Sequence, residues 1–175
     1  MRAEISDAAW VIDTLARIFY QVVPTQYSTY CALTSRISRR VLSLLNIPAE
    51  LMACQVWATK DGKNHVVGFT GTKDPNRWDG HVICVTQQYL IDAALHHFRQ
   101  DFGLEVPAVI TRQRILMPSQ IISRIDLSNH ILMQWLHPPP GAHIEVPIQS
   151  LEIIEEFAQR LVPLIRSQWQ EAGKV

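Results

Sequence analysis

The sequence predicts an α+β fold, with N-terminal helices packed on a mainly antiparallel β-sheet and a further helix at the C-terminal end. Three observations lead there. Apolar residues recur at helical spacing twice before residue 46, the period then changes to the alternation of strands, and helical spacing returns only after residue 150. The 175 residues, 47% of them hydrophobic, supply enough apolar material for one core and too little length for two ordinary domains. Residues 1–175 are therefore expected to form a single domain.

Along residues 7–23, Val11, Leu15, Ile18 and Val22 mark one helix face, and Pro24 closes the run because it has no amide to continue the ladder. A second helix is expected after Tyr27, with Ser28 or Thr29 as N-cap and Leu33, Ile37, Val41 and Leu45 on one stripe, stopping near Asn46. The period then becomes two: Met52, Cys54, Val56 and Ala58 alternate with Leu51, Ala53, Gln55 and Trp57. A turn over residues 60–64 and a β-rich run over 65–70 complete a hairpin. A polar loop, 71–76, leads to two further antiparallel strands, 78–85 and 88–92, and then to a short helix over 93–99. Within 106–146 only residues 109–112 and 130–135 are clearly β-prone, and Pro138-Pro139-Pro140-Gly141 breaks the chain before 143–146. Residues 150–169 return to helical spacing at Ile154, Phe157, Leu161 and Ile165, with Pro163 expected to kink or split the helix.

Charge narrows the range of partners. Sixteen Lys and Arg balance sixteen Asp and Glu, so the chain lacks the basic footprint that nucleic acids or anionic membranes attract, and neither is expected as a partner. The first residues carry no signal-peptide pattern, and no run of about 18 apolar residues exists to cross a bilayer. The three cysteines, Cys31, Cys54 and Cys84, are odd in number and form no Cys-x-x-Cys pair. That fits a reducing, cytoplasmic setting better than a disulfide framework or a zinc knuckle.

Cysteine chemistry then becomes the question. If Ser28 or Thr29 caps the second helix, Cys31 lies in its first turn, among unpaired amides at the positive end of the helix dipole. Such positions favour thiolate over thiol, and the same amides can bind a developing oxyanion. A small buried residue at a helix start would show the same spacing. The second constellation lies in the hairpin after residue 78. A two-residue loop at Thr86-Gln87 would pair Val85 with Gln88 and Cys84 with Tyr89, which sets His81 directly opposite Asp92. Side chains so placed have Cβ atoms about 4.5–5.5 Å apart, close enough for a carboxylate to accept a ring N–H. The pair can also be a structural hydrogen bond; joined to Cys31, it completes the set of nucleophile, base and orienter.

A cysteine at the head of a helix, followed by Gly80-His81-Val82-Ile83-Cys84-Val85 and Tyr89-Leu90-Ile91-Asp92, resembles the transglutaminase-like branch of the papain-like superfamily of cysteine proteases. The resemblance covers residues 27–94. It implies a papain-like core with Cys31, His81 and Asp92 as catalytic residues and no cofactor. Gln26, five residues before the cysteine, would be an oxyanion-hole side chain by the same resemblance. Trp78, near the histidine, would either line the cleft or simply pack.

The expected reaction is acyl transfer: Cys31 attacks the carbonyl of a peptide, protein or small acyl or amide substrate, and His81 removes and returns a proton. A peptidase or amidohydrolase is favoured, because a chain this short has little room for acceptor domains. An acyltransferase similar to the arylamine N-acetyltransferases shares the Cys, His, Asp order, although the Arg-Gly-Gly surroundings of that cysteine are absent here. A non-catalytic binding module of the same fold is the third reading. No metal is expected, since His96 and His97 are adjacent and the other histidines lack the i, i+4 spacing of a helical chelate. Cys54 and Cys84, set in apolar strands, are expected to be inert.

Overall fold

The computed structural model describes residues 7–72 and 74–173. Helix α1 (Ala8–Val22) begins on Asp7, whose carboxylate accepts the Trp10 amide at 3.0 Å, and Pro24 follows its C-cap. One 3-10 turn (Thr25–Tyr27) connects it to α2 (Cys31–Leu44). The N-cap of α2 is Tyr30 rather than Ser28 or Thr29, and no side chain caps the helix. Ser28 is drawn back into the 3-10 turn, its amide bonded to the Thr25 carbonyl at 3.0 Å while its own carbonyl accepts the His96 amide at 3.3 Å. Cys31 thereby becomes the first helical residue. The helix ends as Asn46 suggests: with φ +60°, its amide reaches the Ser43 carbonyl at 3.1 Å and the next amide, of Ile47, reaches Leu42 at 2.9 Å, a Schellman closure.

The strands are β1 (Glu50–Lys60), β2 (Lys63–Val67), β3 (His81–Val85), β4 (Tyr89–Asp92), β5 (Ile110–Gln113), β6 (Ile121–Asp126) and β7 (Leu132–Leu136). Helix α3 (His96–Phe102) lies between β4 and β5, and α4 (Leu151–Glu171) ends the described chain. All pairings are antiparallel, in the order β5-β4-β3-β1-β7-β6, with β2 added to β1. The two outer strands approach each other: the Ile115 amide donates to the Ile122 carbonyl at 2.7 Å, and the Ser123 hydroxyl to the Gln113 carbonyl at 2.6 Å. The sheet is thus curled almost into a barrel.

β1 is the spine. Glu50 to Cys54 pair with β3 and Val56 to Lys60 with β2, while β7 takes the other edge from Gln55 to Thr59. The β1–β2 turn is Asp61-Gly62, both at positive φ (50° and 72°), the conformation that matches strand twist in a two-residue hairpin. Where β2 ends the chain leaves the edge for a long excursion and returns at His81. Gly68 makes that departure possible: its φ is +86°, and a Cβ there would stand 2.8 Å from the Cβ of His81. Gly68→Ala is expected to destabilise the fold by about 1–3 kcal/mol from backbone strain alone, before the clash is counted. Urea unfolding checks it, and an unchanged midpoint would contradict the packing.

Two apolar layers hold this arrangement. One face of the sheet, through Cys84, Ile91 and Ala93, packs against α1, α2 and α4; the inside of the curl is filled by Val56, Ile83, Leu90, Phe98, Met133 and Trp135. Each such aliphatic side chain contributes about 1.5–3 kcal/mol on full burial. α4 runs unbroken through Pro163. β6 was not expected; it carries a β-bulge between Ile121 and Ser123, which breaks its alternation. Residues 137–150 form neither helix nor strand. No described helix is long and apolar enough to cross a membrane.

Candidate active site

The β3–β4 hairpin turns one residue later than expected, at Gln87-Gln88. Thr86 closes it, its amide donating to the Tyr89 carbonyl at 2.8 Å and its hydroxyl accepting the Tyr89 amide at 3.1 Å. The register accordingly pairs Val85 with Leu90 and Cys84 with Ile91. Every partner moves by two residues, so Asp92 falls opposite Ile83 and diagonal to His81. A slip of one would have thrown the carboxylate to the other face; a slip of two keeps it on the same face.

The diagonal pair meets. His81 Nε2 lies 2.8 Å from Asp92 Oδ2, with both side chains about 1% exposed. Asp92 is further held by the Trp135 indole, whose Nε1–H donates to Oδ2 at 2.9 Å, and by the Ala94 amide, which donates to Oδ1 at 3.1 Å. The Tyr20 hydroxyl donates to the Ala93 carbonyl, tying α1 to the same corner. Burial favours the protonated acid, but His81's charge and hydrogen bond, with those of Trp135 and Ala94, outweigh it and hold the Asp92 carboxyl below its usual range. For His81, burial favours the neutral ring. The charge and hydrogen bond of Asp92, with the influence of Cys31, overcome this and carry its pKa up to about 10. The ring's other nitrogen, Nδ1, is buried and has no well-formed hydrogen bond among the described residues, Cys31 being the other group that acts on the ring.

Cys31 stands on this site's outer side. It is 7% exposed, clusters with Ala32, Val82 and Ala94, and lines a cleft of about 620 Å³ whose walls include Tyr30, Arg77, Trp78, His97 and Gln149. Leu33 and Thr34 return their amides to the Tyr30 carbonyl, and no side chain caps α2, so the first-turn amides of Cys31 and Ala32 are not consumed by a cap. Trp78 lines the cleft and is stacked edge-on with Phe69. Its ring lies over Gly80, where an added Cβ would come within 2.3 Å of it. Gln26 is exposed in the 3-10 turn and does not line the cleft. Burial carries the Cys84 thiol up to about 12 and also raises that of Cys54 well above its ordinary value, and both are sealed in the core.

Two residues at the site were not visible in the sequence. Trp135 reaches Asp92 only because β7 pairs with β1 across the curl. His97, weighed only as a metal ligand, lines the cleft with its ring centroid 6.4 Å from that of His81. Its Nδ1 is 2.6 Å from Arg77 Nη2, which also meets Asp101 at 3.1 Å. Burial, His81's charge and Arg77's charge push its pKa down to about 4, which leaves it neutral beside a protonated His81. Among the described residues no three His, Cys, Asp or Glu side chains are grouped to hold a metal ion. Compared with family models, curated proteins and solved structures, the chain has no match.

Proposed function

We propose that this protein is a cysteine-dependent acyl-transfer enzyme, a peptidase or amidohydrolase working through Cys31, His81 and Asp92 on a papain-like, transglutaminase-like core. One observation carries the reading: a buried imidazole is held at Nε2 by a buried carboxylate, has no hydrogen-bond partner at Nδ1 among the described residues, and is influenced by a cysteine that lines a cleft at the uncapped start of a helix. A purely structural His–Asp pair would be expected to satisfy both ring nitrogens. The unused Nδ1 is instead available to the thiol, and catalytic hydrogen bonds often tighten only when substrate is bound.

In this mechanism Cys31 Sγ, its proton held by His81, forms a bond to the substrate carbonyl carbon. The oxyanion is met by the amides at the head of α2; as it collapses the C–N bond breaks and the protonated His81 gives its proton to the leaving amine. Water, deprotonated by the now neutral His81, then attacks the thioester; the C–S bond breaks, the acid leaves, and the sulfur is freed with the proton back on His81 as at the start. Asp92 keeps the ring oriented and supports its positive charge throughout.

Alkylation provides the test. At pH 6, iodoacetamide is expected to modify Cys31 at least about 10-fold faster than a free small-molecule thiol, despite its burial, and His81→Ala is expected to abolish the advantage. Peptide mapping locates the label. Labelling of Cys31 no faster than the reference thiol, and unchanged in His81→Ala, would leave the site a structural cluster.

A further inference from the structure

Among the described strands β2 pairs with β1 alone, which leaves its outer edge without a strand partner. Asp61-Gly62 form a two-residue turn, so the pair that closes it, Lys60 with Lys63, exchanges both main-chain bonds, and such exchange recurs at every second pair. Ala58–His65 and Val56–Val67 are therefore bonded pairs, and Trp57–Val66 is not. Trp57 turns its main chain toward β7, where it pairs with Gln134, and Val66 turns its amide and carbonyl outward. Among the described residues neither of these Val66 groups finds a main-chain partner elsewhere. Val66, Val67 and Gly68 line the same cleft as Cys31. Helix α3 reaches β2 through Phe102, whose ring centroid is 5.0 Å from that of His65, and His65 points to the opposite face from Val66. The cleft wall is also acidic: it carries Asp74, Asp79 and Asp101 against Arg77, and that guanidinium is already engaged by Asp101 at 3.1 Å.

We infer that the cleft takes an extended polypeptide segment with basic side chains, laid along β2 as an added strand with Val66 as its main-chain anchor. The inference rests on the acyl-transfer reading above and names its substrate class, a peptide or protein rather than a small amide. An extended chain presents one amide and one carbonyl on the same edge at every second residue, which is the complement of what Val66 offers. A small amide has no second peptide group with which to meet both. Excess carboxylate on the cleft wall favours lysine or arginine side chains in the bound segment and disfavours acidic ones.

Protection of Cys31 from iodoacetamide supplies the measurement. The probe is a pool of end-capped heptapeptides in which lysine alternates with varied uncharged residues; a glutamate pool and a lysine pool with N-methylated main-chain amides are compared with it. The lysine pool is expected to protect Cys31, with the glutamate pool needing a concentration about 10-fold higher for half-protection. N-methylation is expected to weaken protection by about 10-fold as well, the effect of losing one or two main-chain hydrogen bonds. Val66→Pro removes the anchoring amide from the protein's side and is expected to weaken protection by the lysine pool to a similar degree. Proline is compatible with this position, because the Val66 amide makes no bond to β1. The N-methylated pool acts on the wild type, so the test stands even where Val66→Pro does not fold. Equal protection by the lysine pool and its N-methylated form, equal protection by the lysine and glutamate pools, or protection by none of them overturns the inference, while rapid labelling of unprotected Cys31 leaves the acyl-transfer reading intact. Labelling of Cys31 no faster than the reference thiol overturns both.

Discussion

Asp92→Asn is expected to lower Cys31-dependent turnover by about 10²–10⁴-fold while leaving Cys31 open to alkylation. Trp135 and Ala94 donate to different oxygens of Asp92, so the single asparagine carbonyl can accept from one of them while the fold around residue 92 keeps its shape. Positive charge on His81 is what asparagine cannot support. With the carboxylate gone, the main influence that raises the ring's pKa is lost, and burial, opposed only by Cys31, pulls the fully enclosed ring toward the neutral form. Asp92→Ala is the harsher change: it strands the Trp135 N–H and the His81 ring without an acceptor, at a cost of about 3–5 kcal/mol for breaking a buried charged pair from one side. Comparing the two separates chemistry from folding. Steady-state kinetics on Asp92→Asn, with circular dichroism to show that it is folded, reports the mechanistic role; turnover equal to the wild type would remove Asp92 from the mechanism.

How far the sequence could be read depended on whether a feature is local. The head and tail of α2 were close to legible because Asn46 and the apolar stripe act within a few residues, although the cap moved from Ser28 or Thr29 to Tyr30 when the preceding 3-10 turn took Ser28. The His81–Asp92 contact survived an error in the turn, since the misplaced register was wrong by two residues and side-chain direction repeats every two. Trp135 was out of reach: its indole meets Asp92 from 43 positions away, and only the pairing of β7 with the middle of β1 brings it there. β6 was lost for a different reason, because its bulge cancels the alternation by which a strand is recognised. His97 illustrates the limit of reading histidines by spacing. Its neighbours in space, Arg77, Asp101 and the Thr29 backbone, come from two loops and its own helix, and they hold it on the cleft wall, where burial and the charges of His81 and Arg77 keep it neutral.

The same buried pair should govern how stability depends on pH, and the sign follows from the two shifts. His81 has its pKa raised in the folded protein to about 10, so its contribution is complete below the unfolded value. That value is about 6.5, and the contribution is lost as pH rises from there through the folded value. Asp92 is shifted the other way; its contribution is present above the unfolded carboxyl value of about 3.9 and is lost as pH falls through its lower folded value. These are two limits of one interaction and are not summed. The groups facing His81 are Asp92, Cys31 and His97; Asp92 and Cys31 raise its pKa, and His97, neutral at its depressed pKa, adds no opposing charge. Between pH 7 and pH 10 the wild type is therefore expected to lose, relative to His81→Gln, stability on the order of 4 kcal/mol. Lysines, tyrosines and other cysteines titrating in that window are common to both proteins and largely cancel in the difference. Urea unfolding of both at several pH values measures it directly. A difference that stays level from pH 7 to 10 would mean that His81 is neutral in the folded protein, and an acid able to protonate the leaving group would then have to be sought elsewhere in the cleft.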